Sequence, residues 1–148
     1  MPRFRVPIGN DGPVIDLAIW IDRAMAHSLV ALGLAVPPPH TVRELIDTSA
    51  DRTAIHPAAL AVISSFPAGT SPARRPRLTT AARRVNLHRV RLAFGGGAVS
   101  PITGRWVEIE SAAVIPADPA ILALIGRDML ARCRFVYDGP KGELILVC

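Results

Sequence analysis

Leu45-Ile46-Asp47-Thr48-Ser49-Ala50-Asp51 is the stretch on which the reading of this chain turns. Two apolar residues, the end of a strand-like run, lead straight into a carboxylate. A small hydroxylic residue, a second one and an alanine follow. An ionised Asp is expensive to bury, so one placed at the mouth of an apolar strand needs a chemical reason. Small neighbours leave room for another molecule to approach it.

A second stretch, Leu124-Ile125-Gly126-Arg127-Asp128-Met129-Leu130, lies about eighty residues further on. Taken alone, Gly126-Arg127-Asp128 reads as an ordinary turn entering a helix. In this order and at this distance, the two stretches together resemble the retroviral-type aspartic proteases, the retropepsins. Their active-site loop runs hydrophobic-hydrophobic-Asp-Thr/Ser-Gly-Ala. The resemblance implies a mainly β fold, a closed antiparallel barrel with one or two short helices, working as a homodimer. It makes Asp47 the catalytic carboxylate, with Thr48, Ser49 and Ala50 supporting the loop. Only one such loop is present, so two copies of Asp47 would meet at a twofold axis, which an isologous interface provides. The resemblance further implies that Leu124 and Ile125 pack behind the loop and that Gly126 and Asp128 are structural. Arg127 would then pair with Asp51, a geometry that a guanidinium and a carboxylate can fix. A substrate-covering flap falls at about 66–80, with Gly69 and the prolines near its tip and Gly69 and Thr70 as its substrate residues. The family needs no cofactor, and its partners are a second copy and a peptide or protein substrate. One position departs from the pattern. Ser49 stands where the family has glycine, and a side chain there can narrow the cleft or slow the reaction.

The remaining residues agree with a single domain over 1–148, long enough to bury a core. No apolar run reaches the length of a membrane span. Basic residues near the N-terminus lack an apolar leader segment behind them, so the expectation is a cytoplasmic chain. Net charge is +5, almost wholly from arginine. Acidic partners suit such a charge, but Arg89 and Arg91 have no interleaved aromatics, and nucleic acid is the weaker reading. His27, His40, His56 and His88 have no metal spacing, and none pairs recognisably with a Ser or Cys nucleophile. Cys133 and Cys148 read as small buried apolar residues rather than a disulfide framework.

Periodicity supplies the elements. Val14–Asp22 alternates, placing Ile15, Leu17, Ile19 and Ile21 on one face of a half-buried strand. Arg23–Leu32 shifts to helical spacing, with Met25, Leu29 and Leu32 on one face, Asp22 as cap and Gly33 as stop. Strands are expected at Arg3–Ile8, Thr41–Ile46, Val85–Phe94, Trp106–Glu110 and Ile121–Ile125, the last buried on both faces. Gly126–Cys133 suits one short helix, and Asp138–Gly142 turns a terminal hairpin. Its last strand, Glu143–Val147, is expected in the dimer sheet, because an apolar terminal strand otherwise leaves a bare edge. Two rivals to a protease stand beside this reading: an inactive peptide-binding module of the same fold, and a basic nucleic-acid binder.

Overall fold

A computed structural model describes residues 2–72, 84–95, 107–111 and 118–148. Its strands are β1 (Arg3–Gly9), β2 (Gly12–Ile21), β3 (His40–Ile46), β4 (Ala54–Ile55), β5 (Pro67–Pro72), β6 (Arg84–Phe94), β7 (Val107–Ser111), β8 (Ile121–Ile125), β9 (Arg134–Asp138) and β10 (Glu143–Val147). The helices are α1 (Arg23–Ala31), α2 (Pro57–Val62) and α3 (Arg127–Leu130). Strands β6, β7, β4, β8, β3 and β2 pair in that order, and β2 pairs back onto β6, which closes a six-stranded barrel. Most pairings are antiparallel. The exceptions are β3 with β8 and β4 with β7.

Alternation along β2 does what the sequence implies. Leu17, Ile19 and Ile21 are buried, and Ala18 is small enough to be buried on the other face. Leu17, Ile19 and Ile21 join Val42, Ile46, Leu92, Phe94, Ile109 and Ile125 in one core. Each large apolar side chain so buried contributes roughly 1.5–3 kcal/mol. None of the residues of α1 is fully buried, but Met25, Ala26 and Leu29 pack against the core from one face of it. Asp22 caps α1, its carboxylate accepting the Met25 N–H at 2.9 Å. Leu32, expected on the packed face, is instead largely exposed just beyond the last turn. β8 alternates rather than being buried on both faces, with Leu122 and Leu124 only half-buried. The apolar segment after His56 is helical at its start, forming α2 with Pro57 in the first turn. Proline is tolerated there because that N–H has no intrahelical partner.

Outside the barrel, β1, β10 and β9 form an antiparallel extension. It joins the barrel through the β1–β2 turn, where Gly12 takes a φ of +97°, and through an edge-on Phe4–Phe94 contact. Two expectations are corrected here. β10 is paired on both sides, by β1 and β9, so it leaves no bare edge; among the described residues the outer strand of this extension is β9. Phe135, Val136 and Tyr137 on β9 are all exposed. Cys133 and Cys148 are not isolated thiols but a disulfide. They flank β9 and β10, and antiparallel pairing brings the two ends of a hairpin together.

Among the described residues no helix is long and apolar enough to cross a membrane. Trp106 and residues 73–80 of the expected flap lie outside the described residues.

Candidate active site

β3 and β8 run parallel, with Leu45 beside Leu124 and Ile46 beside Ile125. Both strands end together, and each releases one of the two sequence motifs. At that point the Asp47 N–H donates to the Ile125 carbonyl at 3.0 Å. The carboxylate of Asp47 is thereby delivered at the strand end, half-buried, with Thr48 and Ser49 exposed beside it.

Ser49 holds that carboxylate twice. Its N–H donates to Asp47 Oδ1 at 2.9 Å, and its hydroxyl donates to the same oxygen at 2.6 Å. The Ala50 N–H returns to the Asp47 carbonyl at 3.3 Å and tightens the turn.

The second motif laces the far side of the loop. Arg127 N–H donates to the Ala50 carbonyl at 2.9 Å, and Asp128 N–H to the Asp51 carbonyl at 3.3 Å. The Arg127 guanidinium forms an ion pair with the Asp51 carboxylate and lies 3.5 Å from the Thr48 carbonyl. Gly126 is required by space rather than by dihedral. A Cβ built on it would stand 2.5 Å from the backbone carbon of Arg52 and 2.6 Å from its carbonyl oxygen.

Thr53 ties the two motifs at their base, a role the sequence did not announce. Fully buried, it donates its N–H and its hydroxyl to Asp128 Oδ1 at 2.9 and 2.8 Å. Its hydroxyl oxygen accepts the Gly126 N–H at 3.1 Å. Asp128 Oδ1 also accepts the Met129 N–H at 2.9 Å, so the same carboxylate oxygen steadies the start of α3. A threonine just before a strand gives no signal of such a role, because its partner is far along the chain.

Nearby, burial pushes the Glu110 carboxyl above its usual range; Arg52 opposes this and Asp128 adds to it. Glu44 is a second unannounced group. It sits on β3 between Ile15 and Ala123, fully buried, and among the described residues neither carboxylate oxygen has a hydrogen-bond partner. Burial, with the charge of Asp16, holds its proton well above the ordinary carboxylate range.

The histidine reading needs one correction. His88 is buried on β6 and its Nδ1 lies 2.9 Å from the Ser65 hydroxyl. Burial pushes His88 down, toward the neutral form. The pair ties the α2–β5 connection to β6. Among the described residues, no cluster of His, Cys, Asp or Glu could hold a metal ion.

Ten of the residues singled out in the sequence therefore converge: Asp47 to Asp51 on one loop, Leu124 to Asp128 behind it. Gly69 and Thr70 stand apart on β5, in register with Leu87 and Asn86. No family model matches the sequence, and no curated protein does. Among solved structures, a retropepsin-like aspartic protease from Rickettsia conorii superposes with a TM-score of 0.58. The match covers 98% of this chain and 90% of that one, at 13% identity. The fold is retropepsin-like. At that identity the likeness concerns architecture.

Proposed function

We propose that this chain is an aspartic endopeptidase that works as a homodimer, with Asp47 from each copy at the twofold axis. The observation that carries this reading is the placing of Asp47. A half-buried carboxylate stands at the end of a barrel strand, on a loop clamped from behind by Gly126–Asp128. Peptide hydrolysis by carboxylates needs two of them sharing one proton. The ionised member takes a proton from water while the protonated member donates to the scissile carbonyl oxygen. Like charges a few ångströms apart cannot both ionise, which keeps that one proton in place. Each chain offers one such loop, so a second copy completes the site.

The free β9 edge suits that second copy. Unpaired strand edges are templates for strand addition, and an antiparallel pairing of β9 with its own twin has twofold symmetry. α3 connects the Arg127 end of the site to the start of β9, so this edge is close in sequence to the loop it would pair. In the same reading Thr48 bonds across the axis, Ser49 and Ala50 line the cleft floor, and the β5–β6 hairpin with Gly69 and Thr70 closes over an extended peptide.

The deciding experiment compares wild type with Asp47→Asn on an unstructured protein substrate from about pH 3 to about pH 8, with mass measured in parallel. Acid-favoured cleavage that is lost in a still-dimeric variant is the expected result. A folded wild-type dimer that cuts nothing across that range would instead support a peptide-binding module of the same fold. The double hold of Ser49 on Asp47 Oδ1 is the feature that favours this second reading.

A further inference from the structure

We propose that the Cys133–Cys148 disulfide is a redox control on dimer assembly, through its hold on the β9 edge; the inference rests on the homodimer reading above. Among the described residues β9 is paired on one side, by β10. Four of its five residues are exposed and Asp138 is half-buried, so β9 itself adds little to the core. By contrast, β10 buries Leu144 and Leu146 and is held by β1 as well. A strand attached to its neighbour by hydrogen bonds alone is marginal in water. The bridge supplies what packing does not. It joins residues 15 apart in sequence, at the open end of the β9–β10 hairpin, opposite the Asp138–Gly142 turn. β9 is thus closed at both ends.

Both cysteines pack against the core yet are only half-buried, so a thiol can reach the bridge. Reduction takes two electrons and two protons from a dithiol reductant. One reductant thiolate attacks a cysteine sulfur and breaks the S–S bond, forming a mixed disulfide and releasing the other cysteine as a thiol. The second reductant thiol then displaces the first cysteine, leaving two protein thiols and an oxidised dithiol. With the bridge open, the Cys133 end of β9 is free to fray, while β10 stays in the sheet. A partner strand then finds the pairing edge formed in only a fraction of molecules, and apparent affinity falls by that fraction. Compartments that keep thiols reduced would hold the chain in this weaker-pairing state, and oxidation would release it.

The test is a sedimentation dilution series on the full chain, oxidised and then reduced with dithiothreitol, with thiols counted and circular dichroism recorded in each state. The expected result is a dimer dissociation constant at least tenfold higher after reduction, restored on reoxidation, with the strand signal of the barrel retained. The Cys133→Ser, Cys148→Ser double variant should match the reduced protein and ignore the oxidant. Equal dissociation constants for the oxidised and reduced wild type overturn the redox control and leave the dimer standing. So does a count of two free thiols after mild oxidation. An oxidised chain that stays monomeric at every concentration overturns the homodimer reading itself, and the control falls with it.

Discussion

The Ser49 hydroxyl donates to Asp47 Oδ1 at 2.6 Å, the same oxygen that accepts the Ser49 N–H. Hydrogen bonds to a carboxylate oxygen are among the stronger ones. The hydroxyl occupies an oxygen that must be free to meet water, so the bond has to be given up before the step. Replacing Ser49 by Gly removes the hydroxyl and keeps the N–H. The expected effect is a rise in kcat of roughly three- to tenfold with KM little changed, on the scale of about 1 kcal/mol for one hydrogen bond. Steady-state kinetics of the two proteins would check it. A lower kcat in the glycine variant would mean that the hydroxyl aids the reaction.

Arg127 and Asp51 separate stability from geometry. Their side chains are 59% and 47% exposed, and ion pairs in that setting contribute about 0–1 kcal/mol to folding. Yet the same guanidinium reaches toward the Thr48 carbonyl beside Asp47. Arg127→Ala should therefore shift a urea melt by less than about 1 kcal/mol while lowering kcat at least tenfold. Equal losses in both measurements would assign the pair to folding alone.

Gly126 has no room for a methyl group. Its Cβ would press on the rigid backbone of Arg52, not on a side chain that can swing away. Forcing it in should cost roughly 1–3 kcal/mol and push the Asp47 loop off its support. Thr53→Val is the companion test, since it keeps the volume but leaves the Gly126 N–H without its acceptor. A cost of about 1–3 kcal/mol follows from the unpaired buried group. Chemical denaturation of both variants, with activity measured on the folded fraction, would show whether the two motifs are coupled in this way.

Glu44 sets a pH dependence for the fold. Its carboxyl is raised when folded, from an ordinary value of 4.5, by burial first and by Asp16 second. The sign follows from linkage. A raised acid favours the folded state fully below its unfolded value, and that contribution is lost as pH rises through the folded value. Thermal stability of the wild type should therefore decline as pH rises above the ordinary carboxylate range. Glu44→Gln cannot ionise and should melt several degrees higher than wild type near neutral pH, with the gap closing in acid. Melting curves over a pH series, for both proteins, are the measurement. An unchanged gap at all pH values would show that ionisation of Glu44 has no part in it.

Much of the fold was legible because it rests on local pattern. The alternation in Val14–Asp22 marked β2, the apolar run Ile121–Ile125 marked β8, and Asp22 and Gly33 bracketed α1 correctly. The α2 helix was missed because a short apolar run fits helix or strand equally well. β10 was given the free edge that belongs to β9, since no sequence pattern states which neighbour a strand will pair with. The disulfide was missed for a related reason: two cysteines 15 apart carry no spacing rule, and only hairpin pairing brings them face to face.

The sequence by itself determined the two motifs, their order and the chemistry open to Asp47, because those depend on residue type and on neighbours a few positions away. Tertiary structure alone decided that the motifs meet. Parallel pairing of β3 with β8 sets Ile46 beside Ile125, and buried Thr53 locks Asp128 and Gly126 to the loop from the other side. It also decided that, among the described residues, Glu44 lies in the core without a hydrogen-bond partner and β9 keeps an open edge. The first follows from barrel closure, which brings distant strands into register; the second follows from the extension outside the barrel, whose outer strand is β9.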